Sequence, residues 1–127
     1  MNDVILDASA LMAVLREEPG GEVVERILPQ AIIGAVNLSE VYAKLTEAGM
    51  PEQVAWSAVA DLGLKIIAFD EPLAQIAGSL RSATRKAGLS FGDRACLALA
   101  KQLGLPVYTA DRAWRALGIG VDVEIVR

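Results

Sequence analysis

Histidine is absent from this sequence, and cysteine occurs once, as Cys96. Those two shortages remove Ser-His-Asp and Cys-His nucleophile pairs, Cys/His zinc sites, imidazole acid-base chemistry and any intrachain disulfide framework. Aromatics are scarce at 5% of residues, and neither the 5 prolines nor the 11 glycines cluster, which excludes collagenous and low-complexity chains. No apolar run reaches the roughly 18 residues of a membrane span. The start MNDVILDASA has no basic segment ahead of an apolar one. A cytoplasmic, soluble protein with no membrane partner is the expectation.

Positive charge is also in short supply. Lys+Arg number 12 against 16 Asp+Glu, a net charge of −4, the wrong sign for holding nucleic acid by bulk electrostatics. A nucleic-acid substrate would need metal ions and local basic patches. What the chain does have is 127 residues, 54% of them hydrophobic, enough for one sizeable core and a single domain over 1–127. Its chemistry must come from carboxylates, hydroxyls, amides and basic side chains.

Short apolar runs alternate with amphipathic stretches. Val4–Leu6 reads as a strand ending at Asp7, after which Ser9 is placed to cap a helix carrying Leu11, Met12 and Leu15. Glu22–Leu28 reads as a second helix, Ala31–Val36 as a buried strand, and Asn37 as the cap of a helix over Leu38–Ala48 closed by Gly49. Pro51 suits the first turn of a helix reaching Leu62, and Lys65–Phe69 forms a third strand. Leu73, Ile76, Ala77 and Leu80 make one face of a helix over Pro72–Ala87, with Arg81, Arg85 and Lys86 near its end, where the dipole favours cations. Ser90 caps a helix over Phe91–Leu103, Pro106–Thr109 is a fourth strand, Arg112–Leu117 a short helix and Val121–Val126 a closing strand. Strands that are continuously apolar and separated by helices predict an α/β fold whose parallel sheet is covered on both faces.

Two of the strands end in an aspartate, Asp7 and Asp111, and the carboxyl ends of strands form the ligand crevice of open α/β sheets. Glu40 lies one turn into the helix after strand two, and Asp93 in the first turn of the helix opened by Ser90, so a doubly wound sheet brings both to that edge. A lone acid at a helix start needs no further role, since the macrodipole favours it by about 0.3 to 1 kcal/mol. Four acids together differ, because like charges about 5 Å apart repel by roughly 3 kcal/mol per pair at an effective dielectric near 20. Such a group persists readily only with cations. Hard oxygen donors without His or Cys favour Mg²⁺ or Mn²⁺, which activate water and neutralise charge developing on a phosphate; one or two ions would suit four carboxylates.

Four segments carry a family resemblance: Val4-Ile5-Leu6-Asp7-Ala8-Ser9-Ala10-Leu11, Asn37-Leu38-Ser39-Glu40-Val41, Leu89-Ser90-Phe91-Gly92-Asp93-Arg94-Ala95-Cys96-Leu97-Ala98-Leu99-Ala100 and Val107-Tyr108-Thr109-Ala110-Asp111. Together they resemble a PIN domain and, more narrowly, the VapC toxins of toxin-antitoxin systems. The resemblance implies a three-layer α/β/α fold with a mostly parallel sheet of about five strands. It also implies a metal-dependent endoribonuclease centred on Asp7, Glu40, Asp93 and Asp111, with Asp7 and Asp93 foremost as Mg²⁺ or Mn²⁺ ligands. An RNA substrate, a homodimer and a VapB-type antitoxin partner follow as further implications. Hydrolysis by an in-line water would leave a 5′-phosphate and a 3′-hydroxyl.

Several residues carry two readings. Ser9 and Thr109 match hydroxyls beside the family's first and last acids, and equally suit a helix cap or a strand-end hydrogen bond. Asn37 either orients Glu40 or caps its helix. Arg81, Arg85, Lys86 and Arg94 are candidates to hold RNA phosphates, or form solvated helix faces. Trp56 is expected to pack in the core or a subunit interface, Trp114 to pack or to lie near a groove, and Cys96 to be a buried small hydrophobe. Two other functions compete: a PIN fold that binds partners without cleaving, and a receiver-like Mg²⁺-binding signalling domain using Asp70 after strand three.

Overall fold

The computed structural model describes residues 2–127. The elements run β1 (Val4–Leu6), α1 (Ala8–Leu15), α2 (Gly21–Ile27), β2 (Ala31–Gly34), α3 (Ala35–Glu47), α4 (Glu52–Ala60), β3 (Lys65–Ile67), α5 (Glu71–Ala83), α6 (Phe91–Leu103), β4 (Val107–Thr109) and β5 (Val123–Ile125). Short 3-10 stretches occur at Leu28–Gln30, Arg85–Ala87 and Arg112–Ala116. All neighbouring strands pair in parallel, in the order β3-β2-β1-β4-β5.

Alternation along each strand sorts the two cores. Ile5, Ile32 and Val107 point to one face and pack with Leu73, Ala77 and Leu80 of α5 and with Cys96, Leu97 and Leu99 of α6. Leu6 and Ile33 point to the other, against Leu11 and Met12 of α1, Val24 of α2, Val41 and Leu45 of α3, and Ala55 and Val59 of α4. The result is the expected three-layer α/β/α arrangement. Helix α6 packs against α5, α3 and three strands at once, which is why every residue from Ala95 to Ala100 is buried rather than a single stripe. Full cover fails at the edge strand β3, where Lys65 and Ile66 are exposed.

The cap positions depart from the sequence reading. Asp7, not Ser9, caps α1, because its Oδ1 already accepts from Ala8 N at 2.8 Å. Strand β2 turns into α3 with no loop, so Ala35 and Val36 are helical, Gly34 stands at the cap, and Asn37 lies inside the helix. Helix α5 starts at Glu71 under an Asp70 cap and stops at Ala83; Thr84 Oγ1 donates to Leu80 O at 2.6 Å, and the chain tightens into a 3-10 turn. Pro51 likewise stands at the cap of α4 rather than within it.

The receiver-like reading does not survive this topology. Asp70 follows β3, an edge strand separated from β1 by β2, and its side chain accepts from Leu73 N at 3.2 Å. Trp114 is buried as expected, whereas Trp56 is 50% exposed on α4. No helix among the described residues is long and apolar enough to cross a membrane. Because Leu97 is fully buried between sheet and helices, Leu97→Ala is expected to lower stability by about 2 to 5 kcal/mol. Trp56→Ala should stay within about 0.5 kcal/mol of the parent in urea unfolding.

Candidate active site

β1 lies at the middle of the sheet with β4 beside it, and chain order reverses between them, which opens a crevice at their carboxyl ends. Asp7 ends β1 there, only 6% exposed. Its backbone N donates to Tyr108 O of β4 at 3.0 Å. Oδ2 accepts from Ser9 Oγ at 2.7 Å and from Thr109 Oγ1 at 2.8 Å. Each hydroxyl gives its one proton to Asp7 and accepts a backbone N–H with a lone pair, Ala110 N on Ser9 at 2.9 Å and Asp111 N on Thr109 at 3.0 Å. Both hydroxyls are thus tied to the first acid, and Ser9 acts inside α1 rather than at its cap.

Glu40 reaches the crevice from the second turn of α3. Asn37, buried, gives its Nδ2 protons to Glu40 Oε1 at 2.8 Å and Gly92 O at 3.0 Å, while its Oδ1 has no partner among the described residues. Asn37 therefore orients Glu40, the first of its two readings. Gly92 completes the contact, since a Cβ there would overlap the Glu40 carboxylate. Sequence reasoning missed Gly92; the available signal was a glycine in the first turn of an otherwise strong helix, where alanine is better by about 1 kcal/mol.

Asp93 enters from the start of α6, in a capping box: Ser90 N donates to its Oδ2 at 3.0 Å and Asp93 N donates to Ser90 Oγ at 3.1 Å. Asp111 stands exposed past the end of β4, its Oδ1 accepting from Ala113 N at 3.0 Å. Burial raises the Asp7 pKa; the Ser9, Thr109 and Ala8 donors oppose that rise and the Asp93 charge adds to it. Burial also raises Glu40, with Asn37 and Lys44 opposing and the charges of Asp7 and Asp93 adding. Burial pushes the Cys96 thiol well up, and the charges of Asp7, Asp93 and Glu40 add to that rise. Asp7, Glu40 and Asp93 therefore share one electrostatic environment, whereas Asp111 reaches Thr109 only through its backbone N–H and turns its carboxylate to Ala113.

None of these acids forms a salt bridge among the described residues, where the ion pair present is Arg127 with Glu18. Nor do any three Asp, Glu or Cys side chains among those residues converge closely enough to grip one ion as oriented. Each carboxylate is turned toward protein donors instead. Of the basic candidates, Arg81 and Arg85 line one surface cavity of about 230 Å³ together with Thr84, Gly88 and Leu89. Lys86 is exposed beside it. Arg94 is half-buried and turned toward α5, with Nη1 donating to Ala77 O at 3.0 Å.

Two outcomes follow. A carboxyl whose pKa is raised by folding favours the folded state below its ordinary value of 3.8 and loses that contribution as pH rises through the raised value. Asp7→Asn should therefore raise the Tm of the cation-free protein at neutral pH, by about 3 to 5 °C per kcal/mol recovered, with the gain vanishing in melts below the ordinary value. Gly92→Ala should fold with little change in Tm, since the displaced group is the flexible end of Glu40. A crystal structure of that variant should show the Asn37–Glu40 hydrogen bond broken.

The model of the PIN domain matches residues 4–120. Among solved structures, the DNA-bound VapBC of Salmonella typhimurium is similar at TM-score 0.80 and 19% identity, covering 100% of both chains. FitAcB of Neisseria gonorrhoeae is similar at TM-score 0.68 and 26% identity, over 94% of this chain and 95% of that one. VapC20 of Mycobacterium tuberculosis, a sarcin-ricin loop cleaving toxin, is similar at TM-score 0.74 and 17% identity, over 94% and 99%. No curated protein sequence matches this chain. With the family pattern spanning all but the chain's last strand and lying on a parallel three-layer sheet, the chain belongs to the PIN domain family.

Proposed function

We propose that this chain is an Mg²⁺- or Mn²⁺-dependent endoribonuclease acting as the toxin of a toxin-antitoxin pair. The observation that carries the reading is Asp7: a carboxylate buried at the end of the central strand, sharing its field with Glu40 and Asp93, with no salt bridge among the described residues. Desolvated like charges of this kind are relieved by a divalent cation.

The donor set fits such an ion. Three hydrogen bonds occupy the Asp7 carboxylate, one occupies Glu40 and one occupies Asp93, and each carboxylate has about four lone-pair sites. Asp7 and Asp93 would be the principal ligands, with Glu40 and Asp111 holding through water or a second ion. When bound, the cation lowers the pKa of a water and offsets charge on the phosphate. Ser9 and Thr109 hold Asp7 in one orientation, and Asn37 does the same for Glu40. In the reaction, water oxygen bonds to phosphorus, the bond to the 3′ oxygen breaks, and that oxygen takes up a proton.

Arg81 and Arg85 offset the unfavourable net charge locally, because no acid occurs between Glu71 and Asp93. They are suited to backbone phosphates of the RNA. The likeness to VapBC structures supports a VapB-type antitoxin, and a homodimer belongs to the same proposal. A non-cleaving binding module is the second reading, favoured by the lack of three converging acidic side chains among the described residues.

Purified protein incubated with cellular RNA and Mn²⁺ or Mg²⁺ is expected to give discrete cuts with 5′-phosphate ends, lost with chelator and in Asp7→Asn. A 2′,3′-cyclic phosphate product would exclude the mechanism. Absence of cleavage alongside a metal-induced melting shift would favour the binding module. That shift should correspond to about 2.7 kcal/mol at a hundredfold excess of metal over Kd and be blunted in Asp93→Asn.

A further inference from the structure

Phe91 is the first residue of α6, set between Ser90 and Gly92, and 49% exposed. The ring is nevertheless held in place. Its contact with Phe69 is edge-to-face, with centroids 5.4 Å apart and planes at 89°. The Arg94 guanidinium carbon sits 5.8 Å from the Phe91 centroid and is itself anchored on Ala77 O. A fixed, half-exposed aromatic ring therefore stands beside Gly92, the residue that packs against the Glu40 carboxylate.

The ring faces a cleft of about 630 Å³ whose walls include Val36, Ser39, Glu40 and Ser90. That volume lies within the roughly 300 to 1,000 Å³ range of small-ligand sites and accommodates one nucleotide. The wall chemistry is mixed in a way that suits a base: an apolar floor, the aromatic ring, and two hydroxyls. Ser90 Oγ accepts from Asp93 N, so its proton remains free to donate to a base edge. A flat apolar protein partner would bury the Glu40 carboxylate without a donor, whereas base and ribose edges bring donors to it.

We infer that Phe91 is a stacking platform for one unpaired base of single-stranded RNA, seated in the cleft it shares with Glu40. The inference rests on the ribonuclease reading and adds to it the side chain that seats a base beside Glu40. Bases in a duplex keep both faces covered by their neighbours; an unpaired base offers a face to the ring. Phe91 thereby helps to set which nucleotide lies next to the acidic site, while the Arg81–Arg85 cavity takes backbone phosphate without regard to sequence.

The test uses the full chain carrying Asp7→Asn to prevent cleavage, and a short single-stranded oligoribonucleotide containing 2-aminopurine. Binding should change the 2-aminopurine emission as the base leaves its neighbours for the ring, and Phe91→Ala should weaken affinity about 5- to 150-fold at fixed salt while abolishing that change. Phe91→Trp should bind at least as tightly as the parent, and Phe91→Leu should behave like Phe91→Ala. Equal affinity in Phe91→Ala overturns the inference, as does parental binding by Phe91→Leu, which would mean apolar packing without stacking. A change of mass in light scattering on Phe91→Ala also overturns it, since the ring would then be covered by a second copy. Wild type that neither binds nor cleaves RNA overturns the ribonuclease reading as well; wild type that cleaves while Phe91→Ala cleaves with unchanged KM and site preference overturns the platform alone.

Discussion

A carboxylate buried at the end of the central strand must find hydrogen-bond donors, and the rest of the site is arranged around that need. Asp7 finds them in Ser9, Thr109 and Ala8. Those partners belong to α1 and to β4, so meeting one side chain's requirement also fixes the turn into α1 and the exit of β4. The Ala110 and Asp111 backbone N–H groups complete the arrangement by donating to the two hydroxyls. Removing either hydroxyl would leave both a carboxylate oxygen and a backbone donor short of a partner.

The second half of the site is a close approach of α3 and α6. Asn37 spans it, holding Glu40 with one amide proton and Gly92 O with the other, and the lack of a side chain at Gly92 leaves room for the carboxylate. Asp93, one residue on, is held by its capping box. The carboxylates are thus individually well bonded yet collectively repulsive, without a salt bridge among the described residues. Stability is given up locally in a way that a cation would restore, the usual trade at a functional site. An anionic substrate needs the same compensation, and the one acid-free stretch with two arginines around a shared cavity lies just ahead of α6.

Much of this was legible beforehand. Apolar runs located the strands, and the Ser90 cap of α6 was read correctly because Ser followed three residues later by an acid is a local signature. Asn37 was read as a possible cap because Asn commonly takes that role; its burial against Gly92, 55 residues away, is invisible to any window on the sequence. Trp56 lies outside the core, half exposed on α4, since apolar neighbours in a helix do not reveal which face meets the sheet. Asp70 follows a strand as the receiver-like reading asks, and strand order places it at the sheet edge, away from Asp7.

Local properties were readable from the chain alone: the α/β class, the approximate strand number, the restriction to oxygen donors, and the four acids that end strands or open helices. These depend on periodicity, cap residues and side-chain chemistry over a few neighbouring positions. Strand order, the shared field of Asp7, Glu40 and Asp93, and the room that Gly92 leaves for the Glu40 carboxylate arose with folding. They rest on contacts such as Asp7 with Thr109, 102 positions apart, and Ser9 with Thr109, 100 apart. No short stretch of sequence encodes which strand lies beside which, so the partners that hold a buried charge come into being with the sheet itself.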